Sequence, residues 1–266
     1  MSRRAQVLSV VASMLVLAVT PVASVSPASA AATTTSAKPA TVIKRTVFGT
    51  SVQGRDLVAF RLGEPKRPRV RTVVLMAAMH GNESAPSQIL RALVDGLPVV
   101  ALDLWVIPTY NPDGVAAGTR KNAHGVDLNR NFPHDWKDLD GNYESGPKPA
   151  SEPETQAVME FLEKVDPDTI LSFHQPLTGV DTDTKNPRLA RRVARKLELP
   201  RRTLDCGGTC HGTMTGWFNN NFDGSALTVE YGASPTRHRM RNVAPDQVLS
   251  VFRAVRGRVG ADPLTF

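Results

Sequence analysis

The segment VRTVVLMAAMHGNE, residues 70–83, decides the fold because it joins a long apolar run to a short polar end. The apolar part predicts a strand over Val70–Met79, and His80-Gly81-Asn82-Glu83 follows it directly. The next residues predict a helix over Glu83–Leu97, since three apolar residues repeat at helical spacing: Ile89, Leu90 and Leu93. A strand that turns into a helix is a building block of α/β proteins.

Strands and helices continue to alternate on both sides of this segment. Upstream, Thr41–Val47 and Asp56–Leu62 predict a hairpin, and downstream Ser151 is predicted to cap a helix that runs to about Val165. The other predicted strands are Leu102–Pro108, Thr169–Phe173 and Ala226–Val229, and the other predicted helices are Arg188–Leu199 and Pro245–Val259. This alternation predicts an α/β sandwich whose sheet is parallel at its centre, with active residues where strands end.

Composition narrows the class of protein. The chain has 266 residues, of which 41% are hydrophobic and 21% charged, which indicates a globular protein rather than a disordered or fibrous one. Two cysteines exclude a dense disulfide scaffold and a four-cysteine zinc site. The formal net charge of +7 suggests an anionic partner, such as a nucleic acid, a membrane surface or a cell-wall polymer.

Residues 1–30 have the composition of an export signal. Arg3 and Arg4 precede an apolar run, Val7–Val19, and Ala28-Ser29-Ala30 supplies the small residues of a cleavage site. A retained membrane anchor is the alternative, although the run is short for a span, and the paired arginines leave a twin-arginine route beside the ordinary secretory one. We therefore predict a signal peptide at 1–30, a flexible leader at 31–40, and a folded domain at 41–266 in a secreted chain.

Residues 111–146 predict a functional loop. They are rich in Gly, Asn, Asp and Pro and have no sustained apolar periodicity. Structureless segments of this length inside a compact domain usually carry function.

Two histidines and one glutamate predict a zinc site. His80 and Glu83 are three residues apart at the bend after a predicted strand, and an imidazole and a carboxylate so placed can converge on one ion. His174 follows the predicted strand Thr169–Phe173 in the same way. Two histidines and a carboxylate form the ligand set of catalytic zinc peptidases, although a histidine at a strand end, taken alone, is as compatible with a structural hydrogen bond.

A longer series of motifs resembles the zinc carboxypeptidase family. The matching residues, in order, are His80-x-x-Glu83, Asn111-Pro112-Asp113-Gly114, Arg120, Gly125–Phe132 (GVDLNRNF), His174 and Glu230. Within that family, three segments are similar to the murein peptide amidase group: Ser151–Ala157 (SEPETQA), Ser172–Leu177 (SFHQPL) and Gly212–Trp217 (GTMTGW). The resemblance implies a three-layer α/β sandwich with a mixed, centrally parallel sheet covered by helices, and a bacterial metallopeptidase of the cell envelope.

The resemblance also assigns a role to each matched residue. It implies one Zn²⁺ ion held by His80, Glu83 and His174, with Glu230 as the general base that moves the water proton. Arg120 would stabilise the oxyanion, and Asn129 and Arg130 would bind a substrate carboxylate. The mobile tyrosine that digestive members carry shortly before the catalytic glutamate has no counterpart, because Tyr110, Tyr143 and Tyr231 lie elsewhere.

The implied substrate is a peptide from peptidoglycan, cut at the γ-D-glutamyl-diaminopimelate bond. The segment Gly212–Asn220, with Trp217, would line the pocket for the leaving side chain, and Asp181 and Asp183 would meet its distal ammonium group. One alternative is a metallocarboxypeptidase that trims L-amino acids from protein C-termini. Another is a non-catalytic module that binds the cell wall. A nucleic-acid partner is disfavoured, since the basic segments lack interleaved aromatic residues.

Cys206 and Cys210 lie in a glycine-rich stretch of a chain predicted to be exported, which favours a local disulfide. Two free thiols and a metal site at Cys210 and His211 remain as alternatives. His134 and Asp135, soon after Arg130, are candidates for a contact with substrate at the rim of the site.

The positive charge is concentrated in two stretches. Pro187–Arg202 has a net charge of +6, and Thr236–Arg258 has a net charge of +5. Both are predicted to be mainly helical and lie outside the proposed ligand set. They are compatible with solvated helix faces, or with electrostatic association with an anionic cell wall.

Overall fold

One sheet of eight strands organises the computed structural model, which describes residues 42–63, 70–204 and 206–257. The predicted signal peptide and leader lie outside these residues. The strands are β1 (Lys44–Thr50), β2 (Asp56–Arg61), β3 (Thr72–Ala77), β4 (Val99–Val100), β5 (Asp103–Ile107), β6 (Thr169–His174), β7 (Thr178–Asp181), β8 (Arg201–Arg202), β9 (Ser225–Tyr231) and β10 (Val255–Arg256). The helices are α1 (Ser87–Val94), α2 (Pro112–Ala117), α3 (Pro153–Val165), α4 (Pro187–Leu197), α5 (Met214–Asn221) and α6 (Ala244–Val251).

The strand directions make the sheet mixed, with a parallel centre. Its order is β1-β2-β5-β3-β6-β9-β7-β8, and β4 pairs with β10 in a separate two-stranded sheet. β3 is parallel to β5 and β6, and β6 is parallel to β9. β1 and β2 form the predicted hairpin, while β2 and β7 join their inner neighbours antiparallel. The carboxyl ends of β3, β6 and β9 therefore meet at one edge of the sheet.

Helices cover both faces of the sheet because its central strands are apolar on both sides. Every residue of β3 and β6 is buried. Successive side chains of a strand point to opposite faces, so Val73 and Leu75 pack in one core with α1, α4 and α6, whereas Val74 and Met76 pack in a second core with α3 and α5. The predicted three-layer sandwich with a mixed, centrally parallel sheet is confirmed.

Three predicted helix bounds are corrected. α1 begins at Ser87 rather than Glu83, because the residues between form a turn in which the Glu83 N–H donates to the His80 carbonyl at 3.0 Å. Ser151 does not cap α3: Glu152 occupies the capping position, and the Ser151 hydroxyl donates to its carboxylate at 2.7 Å. α6 ends at Val251, since the chain reverses near Arg253, at φ 59°, to form β10.

Several short elements lie in segments for which the sequence has no strong periodic signal. α2 falls inside the predicted loop 111–146, with Asn111 as its capping residue. α5 is rich in asparagine and contains Gly216, both poor helix formers, and it depends on Thr213, whose hydroxyl accepts from the Gly216 N–H. Among the residues that the structure describes, no helix has the length and apolar character needed to cross a membrane.

Candidate metal centre and substrate pocket

His80 and Glu83 lie on a tight turn just beyond β3. The turn packs so closely on α2 that a Cβ atom on Gly81 would lie 1.9 Å from the Gly114 carbonyl carbon, so only glycine fits there. The Glu83 N–H closes the turn on the His80 carbonyl, which brings both side chains to the same side. The His80 Nδ1 and Glu83 Oε1 atoms are 2.7 Å apart.

His174 ends β6, the parallel neighbour of β3, and meets the turn from the adjacent strand. Its Nδ1 atom lies 2.9 Å from Glu83 Oε2 and 3.3 Å from His80 Nδ1. The three residues are buried, and one ligand atom of each lies within 4.8 Å of the others. The structure therefore brings together the three predicted zinc ligands.

The surroundings of the two imidazoles fit a zinc ion. The outer nitrogen of His80, Nε2, lies 3.1 Å from Asp127 Oδ1, and that of His174 lies 3.0 Å from Ser172 Oγ. Histidines that bind metals usually engage their second nitrogen in this way, which fixes the ring and its tautomer. Burial alone would raise the pKa of Glu83, but hydrogen bonds with His174 and His80 hold that pKa far below its usual value, so the carboxylate is ionised as a ligand must be.

Asp127 connects the candidate metal centre to Arg120. Its Oδ2 atom accepts hydrogen bonds from Arg120 Nε at 2.9 Å and Nη2 at 2.8 Å, and Arg120 Nη1 lies 3.3 Å from Glu83 Oε1. Burial opposes ionisation of Asp127, but His80, and after it Arg120 and Arg130, keep its pKa well below the usual range. Asp127 lies inside the GVDLNRNF motif but was not among the predicted site residues.

Glu230 faces the same cleft from β9. It pairs in register with His174 on β6, so the two side chains stand side by side at the edge of the sheet. Its Oε2 atom accepts a hydrogen bond from the Leu177 N–H at 3.1 Å. Burial raises the pKa of Glu230, which makes the carboxylate a stronger base than an exposed glutamate.

A cleft of about 930 Å³ opens in front of these groups. Its walls include nine of the ten predicted metal, catalytic and substrate-binding residues: His80, Glu83, Arg120, Asn129, Arg130, His174, Asp181, Asp183 and Glu230. These residues come from the turn after β3, the loop 111–146, β6, β7 and its following loop, and β9. The fold therefore assembles in one place residues that are separated by up to 150 positions.

Arg130 and Asn129 lie on the wall formed by the GVDLNRNF motif. Arg130 is 3% exposed, its Nη1 donates to the Asn129 carbonyl at 2.7 Å, and its Nε is buried without a hydrogen-bond partner among the described residues. The Asn129 side-chain oxygen accepts from the Met214 N–H at 3.1 Å, which leaves the amide nitrogen to face the cleft. The pair thus presents N–H donors of the kind that bind a carboxylate.

Trp217 was predicted to line the pocket, and the structure places it in the core instead. Its side chain is only 4% exposed, and its ring packs against Phe132 and Phe222 in the core below the cleft. The helical period of α5 turns Trp217 inward while Gly216 and Asn219 face the cleft. Trp217 therefore supports the wall from behind, and its smaller neighbours provide the surface.

Another part of the cleft wall carries the acidic residues and a disulfide. Asp181 Oδ1 accepts from the N–H groups of Asp183 at 3.0 Å and Leu204 at 3.3 Å, and burial raises the pKa of Asp181. Cys206 and Cys210 form a disulfide in the structure and both line the cleft, so the structure contains neither free thiols nor a metal site at Cys210.

Asp135 lies at the rim of the cleft with His134. Its Oδ2 atom is 2.7 Å from His211 Nδ1, in the segment that follows the disulfide. This contact joins the loop after Arg130 to the segment that carries the disulfide.

Tyr143 also lines the cleft, from the loop 111–146 rather than from the segment before Glu230. The guanidinium carbons of Arg120 and Arg130 lie 5.5 Å and 5.0 Å from the centre of its ring. Both distances are in the range of cation–π contacts. The sequence carries no periodic or motif signal that would have placed this tyrosine in the site.

Comparison with known proteins agrees with this arrangement. The model of the zinc carboxypeptidase family matches residues 29–180. Murein peptide amidase A of Escherichia coli K12 is 33% identical over 167 residues, which cover 58% of this chain and 67% of that protein. The amidase of Vibrio campbellii is 33% identical over 173 residues, covering 60% of this chain and 68% of that protein.

Solved structures extend the likeness beyond the matched sequence. The murein-tripeptide amidase of E. coli O157 has a TM-score of 0.64 and 26% identity, over 81% of this chain and 94% of that one. Carboxypeptidase A of Helicoverpa armigera has a TM-score of 0.67 at 16% identity, over 80% of this chain and 68% of that one, and shares the fold. The chain therefore belongs to the zinc carboxypeptidase family, as a zinc metallopeptidase similar to the murein peptide amidases.

Proposed function

We propose that the protein is an exported murein peptide amidase that hydrolyses the γ-D-glutamyl-diaminopimelate bond of peptidoglycan peptides. The observation that carries this proposal is a single cleft that combines a three-residue metal site, a buried glutamate, two arginines and an acidic wall. Its relatives from E. coli and V. campbellii are murein peptide amidases, which supports the same class of substrate. Residues 1–30 would direct export, residues 31–40 would form the leader, and residues 41–266 would form the catalytic domain.

His80, Glu83 and His174 would hold one zinc ion. When bound, zinc would polarise the scissile carbonyl and lower the pKa of a water molecule to about 7. Glu230 takes the proton of the attacking water on its carboxylate and later gives it to the leaving amine. Its hydrogen bond with the Leu177 N–H leaves the other oxygen, Oε1, for this transfer.

The two arginines would act on two different charges of the substrate. Arg120 faces the developing negative charge on the scissile carbonyl oxygen, held in place by the two hydrogen bonds to Asp127. A fixed cation in a site with little water stabilises such a charge more than a mobile one does. Arg130 and Asn129 bind the free carboxylate next to the scissile bond, because the planar guanidinium matches the two oxygens of that group.

The acidic wall would recognise the far end of the leaving residue. Asp181 and Asp183 carry carboxylates beside the cleft, and a diaminopimelate side chain ends in an ammonium group next to a carboxylate. The main chain holds one oxygen of Asp181, so the other is free to face a ligand. Thr213, Thr215 and Asn219 complete the surface between this wall and the metal site.

A panel of peptides tests the substrate. We expect kcat/KM for L-Ala-γ-D-Glu-diaminopimelate to exceed that for L-peptides with free C-termini by at least about 100-fold, since a site built around specific polar groups rejects substrates that leave them unpaired. The variant Asp181→Ala/Asp183→Ala should lose the preference for diaminopimelate over 2-aminopimelate, which lacks the distal ammonium group, in the leaving position. Preference for L-peptides would instead identify a metallocarboxypeptidase, and no hydrolysis of any peptide by zinc-loaded protein would favour the wall-binding module.

The basic stretches would hold the enzyme at an anionic wall. α4 packs against α6, so the two stretches meet on one side of the molecule. Burial lowers the pKa of Arg192, and the nearby charges of Arg71, Arg253 and Arg195 lower it further. Arg71 precedes β3 and His80 follows it, so this cluster lies at the end of the strand that is remote from the metal site. Wall binding would therefore leave the cleft open.

Adsorption to isolated cell walls tests this surface. We expect the bound fraction to fall steeply between about 50 and 500 mM NaCl, because screening weakens contacts between exposed charges. The variant Arg192→Gln/Arg195→Gln/Arg253→Gln should adsorb less than the matched variant Lys44→Gln/Lys148→Gln/Lys164→Gln, which removes the same charge from scattered exposed positions. Adsorption that is insensitive to salt, or equal in the two variants, would contradict the assignment.

A further inference from the structure

Tyr143 is the only tyrosine among the described residues that lines the cleft, and nothing in the proposed reaction yet uses it. The residue is half-buried and ends a short 3₁₀ turn, Gly141–Tyr143. No hydrogen bond to its hydroxyl is present within the described parts of the chain. Its contacts with the site are made through the ring, at 5.5 Å from the guanidinium carbon of Arg120 and 5.0 Å from that of Arg130.

The two guanidinium groups need a partner of this kind because they repel each other. Burial lowers the pKa of Arg130 and the positive charge of Arg120 lowers it further, whereas the negative charge of Asp127 acts in the opposite direction. Asp127 forms hydrogen bonds with Arg120 and His80, and it attracts Arg130 only through the longer-range effect of its negative charge. The negative face of an aromatic ring is the other nearby group that attracts both cations.

The backbone fixes Tyr143 in relation to the same residues. The Asp127 N–H donates to the carbonyl of Glu144, the neighbour of Tyr143, at 2.7 Å. Ser145 is fully buried, and its carbonyl accepts from Asn131 Nδ2 at 2.7 Å. The residues that follow the 3₁₀ turn are therefore attached to the GVDLNRNF motif at Asp127, which bonds Arg120, and at Asn131, which follows Arg130. These bonds give the ring a defined place near the two arginine side chains.

We propose that Tyr143 is a positioning residue that supports Arg120 and Arg130 through its aromatic ring and so couples oxyanion stabilisation to binding of the substrate carboxylate. The phenol hydroxyl has no part in this role. The inference rests on the functions proposed above for the two arginines. It adds Tyr143 to the two arginines as a third residue of the same group, from a part of the loop that the family motifs do not include.

Isosteric aromatic substitutions test the role of the ring. Tyr143→Phe should retain kcat/KM within about twofold, and Tyr143→Leu should lose roughly 10- to 100-fold, as expected for the loss of two cation–π contacts in a partly desolvated site. Starting from the Tyr143→Phe variant, incorporation of 4-fluorophenylalanine and then of 3,4,5-trifluorophenylalanine at position 143 should lower kcat/KM stepwise. Fluorine withdraws electron density from the ring without changing its packing. A purely structural side chain would not respond to fluorination.

A substrate without its free carboxylate separates the two arginines. For the tripeptide acid, Tyr143→Leu should raise KM and lower kcat, since both guanidinium groups are disturbed. For the same tripeptide with that carboxylate amidated, only kcat should fall, because Arg130 has no partner in either protein. If the Leu variant does not fold, the fluorinated series gives the same information.

Three results would overturn the inference: equal losses in the Phe and Leu variants, no response to fluorination, or no effect of Tyr143→Leu. Arg130→Ala serves as the reference for the proposed function. Its failure to raise KM for the acid would show that the carboxylate site was assigned wrongly, whatever Tyr143 does.

Discussion

Replacing Glu230 with glutamine is expected to lower kcat by about 10²- to 10⁴-fold, the range that a positioned general base contributes. Glutamine has nearly the same shape, and its amide oxygen can still accept the hydrogen bond from the Leu177 N–H. What it cannot do is accept the proton of the attacking water. The zinc content, the far-UV circular dichroism and the KM of the variant should therefore stay close to those of the wild type.

Steady-state hydrolysis of the tripeptide, with zinc measured on the same samples, checks this result. Glu163→Gln is a suitable control, because it makes the same change at an exposed position of α3, outside the cleft. Hydrolysis by Glu230→Gln at the wild-type rate would remove Glu230 from the reaction. Loss of zinc together with activity would indicate instead that Glu230 contributes to the metal site.

Replacing His174 with alanine is expected to abolish zinc binding and with it all measurable hydrolysis. Catalytic zinc sites have three protein ligands, and the variant would keep only His80 and Glu83. Loss of an outer hydrogen-bond partner of a ligand typically costs 10- to 100-fold in affinity, so loss of the ligand itself should cost more. Removal of the imidazole also leaves Glu83 Oε2 with the Gln175 N–H as its remaining partner.

Zinc content after dialysis, measured by elemental analysis, checks this prediction. His238→Ala is the matched control, since His238 is exposed and makes no contact with the cleft. The control should keep its zinc and its activity. Retention of zinc by the His174 variant would mean that the ion, where present, is held by another set of residues.

The centre of the fold could be predicted from the sequence because its signals are local. β3, β5, β6 and β9 are apolar runs bounded by turn residues, and each lies within a few residues of its predicted position. The first and last residues of the helices were predicted less well, because they depend on contacts with residues that are distant in the sequence. Glu83 leaves the predicted helix because its turn packs against Gly114, 31 positions away in the sequence.

The site follows the same division between local and long-range signals. The metal-ligating candidates stand at strand ends, where parallel strands bring them together, so their convergence could be expected from the fold class alone. Asp127 owes its position to a contact with the turn after β3, and Tyr143 owes its position to contacts within the loop 111–146, and no spacing in the sequence encodes either. For Trp217 the motif predicted a place in the pocket, and this was wrong. The helical period of α5 turns its ring into the core.

The placement of Glu83 and His174 has a consequence for the thermodynamics of the whole domain. The two residues are 91 positions apart and belong to the ends of two adjacent central strands, β3 and β6. An ion shared between them needs the native arrangement of both strands, and a ligand that binds only the native state adds about 4 kcal/mol to the free energy of unfolding at a concentration 1,000 times its Kd. Mass action then links the folded population to the free zinc concentration, so the metal that serves catalysis also closes a 91-residue loop.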